Sequence, residues 1–125
     1  MVQRFLPEIL LGSALVLNAA ANILMKYSAL RTRELPAGAG LIEKLATRLH
    51  PAFVIGLVLF AMNVFAYQAA LRAPRMKLSI AYPVMVSGGY VIILAASWLL
   101  FRERLGLVQY AGVGLILGGI WMVAR

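Results

Sequence analysis

An all-α integral membrane domain with four transmembrane helices is the fold class predicted by this sequence, and three observations predict it. The 125-residue chain is 63% hydrophobic, and its mean hydropathy of +0.91 is far above that of a soluble domain. Its apolar residues fall into four uncharged runs: Ile9–Met25, Pro51–Leu71, Leu78–Phe101 and Leu105–Ala124. The charges cluster between them, at Arg31, Arg33 and Glu34, at Glu43, Lys44 and Arg48, at Arg72, Arg75 and Lys77, and at Arg102, Glu103 and Arg104. A spanning helix needs ~20 predominantly apolar residues. A helix also satisfies its own backbone hydrogen bonds in lipid, whereas barrel strands run ~9–11 residues and alternate polar with apolar.

Each element has its own justification. The first run reaches spanning length over 7–29 once Glu8 and Lys26 sit near the two membrane surfaces. Arg4, the apolar run and Asn18-Ala-Ala-Ala21 superficially resemble a secretory signal, but the apolar pattern resumes at Ile23, so a retained helix is expected. The connection from Leu30 to His50 holds Pro36-Ala-Gly-Ala-Gly40 and then Leu41, Ile42, Leu45 and Leu49, interleaved with Glu43, Lys44 and Arg48. That spacing suggests a short helix on the membrane surface, with a flexible loop as the alternative. Spans follow at 51–71, 78–101 and 105–124. Their connections, Arg72–Lys77 and Arg102–Arg104, are short enough to make neighbouring helices antiparallel. Residues 1–125 form one four-helix unit on this reading.

The net charge of +8 is distributed beside membrane segments, which points to anionic headgroups and not to nucleic acid. The absence of cysteine excludes disulfides and thiolate metal sites, and no cofactor, metal or enzyme mechanism is expected. The positive-inside rule leaves orientation balanced. Arg4, Arg72, Arg75, Lys77 and Arg125 lie on one side; Arg31, Arg33, Lys44, Arg48, Arg102 and Arg104, with Lys26 as a seventh, lie on the other.

Polar side chains inside the spans are the candidate functional groups. Asn18, Asn22 and Lys26 are spaced four apart and share one helical stripe. Polar groups at membrane depth usually face a cavity or another helix. Lys26 lies ~12 Å from Asn18 along the axis, roughly the distance from midplane to surface of a ~30 Å core. Two other readings stand beside this: Lys26 snorkelling to the surface, and the asparagines serving as interhelical glue next to Ala19-Ala-Ala21. Further polar positions are Asn63, Tyr67, Gln68, Tyr82, Ser87, Tyr90 and Ser97, of which Tyr67, Gln68 and Tyr82 are also placed to act as interfacial anchors. Pro83 and Ser87-Gly-Gly89 loosen the third span. Gly112, Gly114, Gly118 and Gly119 form a small-residue surface in the fourth, suited to close contact with another helix.

Four motifs carry a resemblance. Asn18-Ala-Ala-Ala-Asn-Ile-Leu-Met-Lys26, Ser79-Ile-Ala-Tyr-Pro83, Phe101-Arg-Glu-Arg-Leu105 and the set Gly112, Leu115, Ile116 and Gly119 follow in an order and spacing that resembles the small multidrug resistance family and its drug/metabolite transporter superfamily. The resemblance covers nearly all of the chain outside the long first connection. It implies a dimeric transporter, with Gly112, Leu115, Ile116 and Gly119 as dimer-packing residues. The departures concern the site. Asn18 stands where the drug exporters carry a proton-exchanging glutamate, and an amide does not titrate. Met85 stands where a tryptophan is expected, which weakens cation–π binding.

Lacking the acid and carrying Ala81-Tyr82-Pro83, the chain resembles more closely the flippase subunits for aminoarabinose-phosphoundecaprenol. The expectation is therefore a bacterial inner-membrane transporter or flippase for a lipid-linked substrate such as a polyprenyl-phosphate sugar. Asn18, Asn22, Lys26, Tyr82, Asn63 and Ser87 are its candidate substrate residues. The alternatives are an exporter of a small polar or cationic metabolite, or a non-transporting subunit of an envelope-assembly complex. One four-helix chain corresponds to one repeat of a larger transporter, so a homodimer (antiparallel or not) or a heterodimer with a paralogue is expected.

Overall fold

The computed structural model describes residues 2–32 and 38–125, with the side chains of residues 2–4 and of Arg48 left out of account. Arg33, Glu34 and the Pro36 end of the Pro-Gly segment lie outside the described residues. Five helices occur in the order α1 (Val2–Arg31), α2 (Leu41–Arg48), α3 (Pro51–Leu71), α4 (Leu78–Leu99) and α5 (Leu107–Ala124), with no strand among the described residues. Four of them, over Phe5–Arg31, Pro51–Leu71, Leu78–Leu99 and Leu107–Ala124, are long and apolar enough to cross a membrane. The four-span, all-helical class read from hydropathy is the class observed. The leucine-rich part of the first connection forms the helix α2, with Leu41, Ile42 and Leu45 exposed.

Local chemistry sets the helix ends. His50 caps α3: its Nδ1 accepts from the Ala52 backbone N–H at 3.2 Å, and Pro51 occupies the first turn, where its missing N–H is no loss. At α5, Gln109 Oε1 accepts from the Gly106 backbone N–H at 2.7 Å, and glycine has no side chain to return the bond. The apolar run that feeds α4 outlasts its helix. Arg102 adopts a left-handed backbone, φ 54°, and the turn brings the Glu103 N–H back to the Ser97 carbonyl at 3.0 Å. A non-glycine residue in that conformation costs ~1–2 kcal/mol.

Packing centres on α1, which lies against α3 most extensively and against α4 next, while α5 touches α4 alone to any extent. Small residues make the approach possible. Ala14, Ala19, Ala21, Ala70 and Ala81 are fully buried, and a Cβ on Gly56 of α3 would meet the Ala21 carbonyl oxygen at 3.1 Å and Met25 Cγ at 3.3 Å. On α4, Leu15 fills the space beside Gly88, and Gly89 faces the Asn18 amide. This is small-residue packing suited to helices in lipid, where apolar contact alone gives no net drive. Helix α5 has no buried residue, and nothing lies within 4 Å of a Cβ built on Gly112, Gly114, Gly118 or Gly119.

Replacing Gly56 with valine should separate α1 from α3, because the nearest atom is backbone and cannot yield. A loss of about 1–3 kcal/mol is expected, read as a lower melting temperature in detergent. Gly12→Val, with nothing within 4 Å, should leave the melting temperature unchanged.

Candidate functional site

The polar stripe of α1 is internally bonded. Asn22 Nδ2 donates to the Asn18 carbonyl at 2.8 Å and, more weakly, to Asn18 Oδ1 at 3.5 Å. Both asparagines line a cavity of roughly 460 Å³ between α1, α3 and α4, walled by Phe60, Asn63, Val64 and Tyr67 from α3 and Tyr82, Met85 and Val86 from α4. Its five hydrogen-bonding side chains are all neutral: three amides and two phenols. On α3, Asn63 and Tyr67 are four residues apart and share a face. Asn63 is 5% exposed. Its Oδ1 and the Tyr67 hydroxyl are buried without a hydrogen-bond partner in the protein. Unsatisfied oxygens in a low-dielectric site are costly, and native proteins retain them mainly where a ligand or water completes them.

Four of the six sequence-derived candidates, Asn18, Asn22, Asn63 and Tyr82, thus meet in one cavity. Ser87 does not join them: its hydroxyl donates to the Val84 carbonyl within α4 at 3.1 Å. Lys26 lines an adjoining pocket of roughly 190 Å³ together with Asn22, Ile93, Ser97, Phe101 and Glu103. There its ammonium is 2.8 Å from Glu103 Oε1 and 6.0 Å from the centre of the Phe101 ring. The stripe therefore serves two compartments, with Asn22 common to both.

Sequence reasoning passed over two members. Tyr67 was equally placed as an interfacial anchor, and its i+4 relation to Asn63 was the available signal. Glu103 reads as a loop charge, and nothing local indicates that the Arg102 turn carries it to Lys26. The ammonium–carboxylate hydrogen bond from Lys26, then its positive charge, hold the Glu103 carboxyl below its ordinary value, with a smaller contribution from the Ser97 hydroxyl.

The chain is thus a multi-pass helical membrane protein with a neutral polar cavity among its spans. The family model "Small Multidrug Resistance protein" matches residues 38–116, and the chain belongs to that family. It is 35% identical over 119 residues to an uncharacterized protein of Sinorhizobium fredii, covering 95% of each chain. It is 32% identical over 114 residues to the spermidine export protein MdtI of Salmonella paratyphi A, covering 90% of this chain and 87% of that one. The same protein of Salmonella newport matches to the same extent. No solved structure matches the chain.

The lowered Glu103 pKa has a defined sign. A carboxyl held below its unfolded value contributes stability that is fully present above that value and is lost as pH falls through the folded-state pKa. Lys26→Met should move the Glu103 titration upward toward an ordinary carboxylate, as followed by carboxyl ¹³C NMR in detergent; an unmoved titration would show that the ion pair is not populated.

Proposed function

We propose that this protein is a subunit of a bacterial inner-membrane exporter of small polycationic metabolites of the polyamine class. The observation that carries this reading is the neutral cavity with the buried, unpartnered oxygens of Asn63 and Tyr67. Lone pairs of amide and phenol oxygens accept N–H bonds from an ammonium group, and their neutrality lets the cation leave again. The relatives named for spermidine export support the same cargo. The lipid-linked substrate expected from the motifs fits less well. It needs a cation beside its phosphate, and the amide cavity is lined by no charged side chain.

Asn18 carries no titrating proton, and the chain's four acids are Glu8, Glu34, Glu43 and Glu103, none near the middle of a span. A second subunit completes the transport path; a second copy of this chain brings no embedded acid, so only a paralogous partner could supply one. The open glycine face of α5, with Gly112, Leu115, Ile116 and Gly119, is the packing surface we assign to that dimer.

Counterflow of radiolabelled spermidine into proteoliposomes tests the cargo, with flipping of a fluorescent polyprenyl-phosphate sugar as the competing assay. Spermidine uptake is expected, and Asn63→Leu should weaken it about tenfold, the equivalent of one hydrogen bond worth about 1.4 kcal/mol. Sugar-lipid flipping without spermidine counterflow would overturn the proposal. Gly112→Ile should shift the dimer toward monomer in light scattering.

A further inference from the structure

The adjoining pocket is built from the groups that recognise an ammonium ion: a carboxylate, Glu103, and an aromatic ring, Phe101. In this structure the chain's own Lys26 fills it, at 2.8 Å from the carboxylate and 6.0 Å from the ring centre. The two partners are held differently. Glu103 is fixed by the backbone, through the left-handed Arg102 turn and its N–H bond to the Ser97 carbonyl. Lys26 reaches the site on a flexible four-carbon stem. Both side chains are 46% exposed, so the chain itself does not wall in the contact and exchange of one cation for another is open. Among the described residues, Glu103 has its one ion pair with Lys26 although Arg102 and Arg104 flank it. Asn22 lines both this pocket and the amide cavity, so the two sites adjoin through one side chain.

We propose that the Glu103–Phe101 pocket is a second binding subsite, for a primary ammonium group of a linear polyamine, and that Lys26 is a tethered competitor which the substrate displaces. This rests on the polyamine reading above. Exchange conserves charge: one ammonium replaces another on the same carboxylate, and the released Lys26 extends to the membrane surface. The neutral oxygens of the amide cavity hold a different ammonium group of the same cargo. The pair of subsites thereby selects molecules carrying at least two cationic nitrogens over monoamines.

The test uses the purified full chain, n-butylammonium chloride as probe against sodium chloride at equal ionic strength, and spermidine counterflow. In Lys26→Met, with the competitor gone, n-butylammonium should shift the Glu103 carboxyl resonance saturably where sodium does not. Half-saturation for spermidine should fall several-fold. Glu103→Gln should raise that half-saturation about tenfold, and Lys26→Met should then have no further effect. Lys26→Arg, which keeps the tethered cation, should behave like the parent protein. Identical responses of Lys26→Met to n-butylammonium and sodium would overturn the proposal, as would unchanged spermidine transport in Glu103→Gln. If the parent protein moves no spermidine while n-butylammonium still shifts Glu103 in Lys26→Met, the cargo reading falls and the ammonium pocket stands.

Discussion

The close approach of α1 to α3 and α4 depends on side chains that are small or missing, and the cavity exists because of that approach. Gly56 accepts the Ala21 carbonyl at a separation that a Cβ would crowd. Ala14, Ala19 and Ala21 sink wholly into the contact. In lipid no hydrophobic effect drives helices together, so close backbone approach and the dispersion it allows take that role. The same closeness sets Gly89 against the Asn18 amide, which fixes where the polar stripe of α1 can open. With larger residues at these points the asparagines would face a wider, wetter gap or lipid.

Within that frame, the polar groups divide by how well they are satisfied. Asn22 is bonded back to Asn18 and Ser87 to Val84, so much of their hydrogen-bonding capacity is spent inside their own helices. Asn63 and Tyr67 keep oxygens without partners. At low dielectric that difference matters more than the count of polar residues, because an unmade bond there costs more than a made one gains. The cavity consequently offers unpartnered oxygens to whatever enters it, and the proposed cationic cargo rests on that feature.

Two ion pairs tie α1 to connecting turns at its opposite ends: Glu8 to Arg75, at 2.8 Å, and Lys26 to Glu103. The anchoring residues on α1 are eighteen positions apart, or ~27 Å, close to the ~30 Å thickness of a hydrocarbon core. The amide cavity lies between them. Both pairs are partly exposed and so are weak and exchangeable. They clamp the one helix that packs against both α3 and α4.

Much of this protein is legible in its residues taken in order. The apolar runs and the charges between them state where helices cross lipid, because the membrane tolerates few alternatives to a self-satisfied helix. Leu41, Ile42 and Leu45 mark α2 by spacing alone, and the four-residue interval from Asn18 to Lys26 states a shared stripe, since helical periodicity is a local property. Tertiary structure decided which of those polar groups belong together. It set Asn63 and Tyr67 of α3 opposite Asn18, left Ser87 bonded within its own helix, and drew Lys26 out of the amide cavity to Glu103. The reason is physical: a residue's face on its helix follows from its neighbours in sequence, but its partner across a gap depends on how closely two backbones approach. That approach rests on Gly56, Gly89 and a left-handed turn at Arg102, and no single helix contains it.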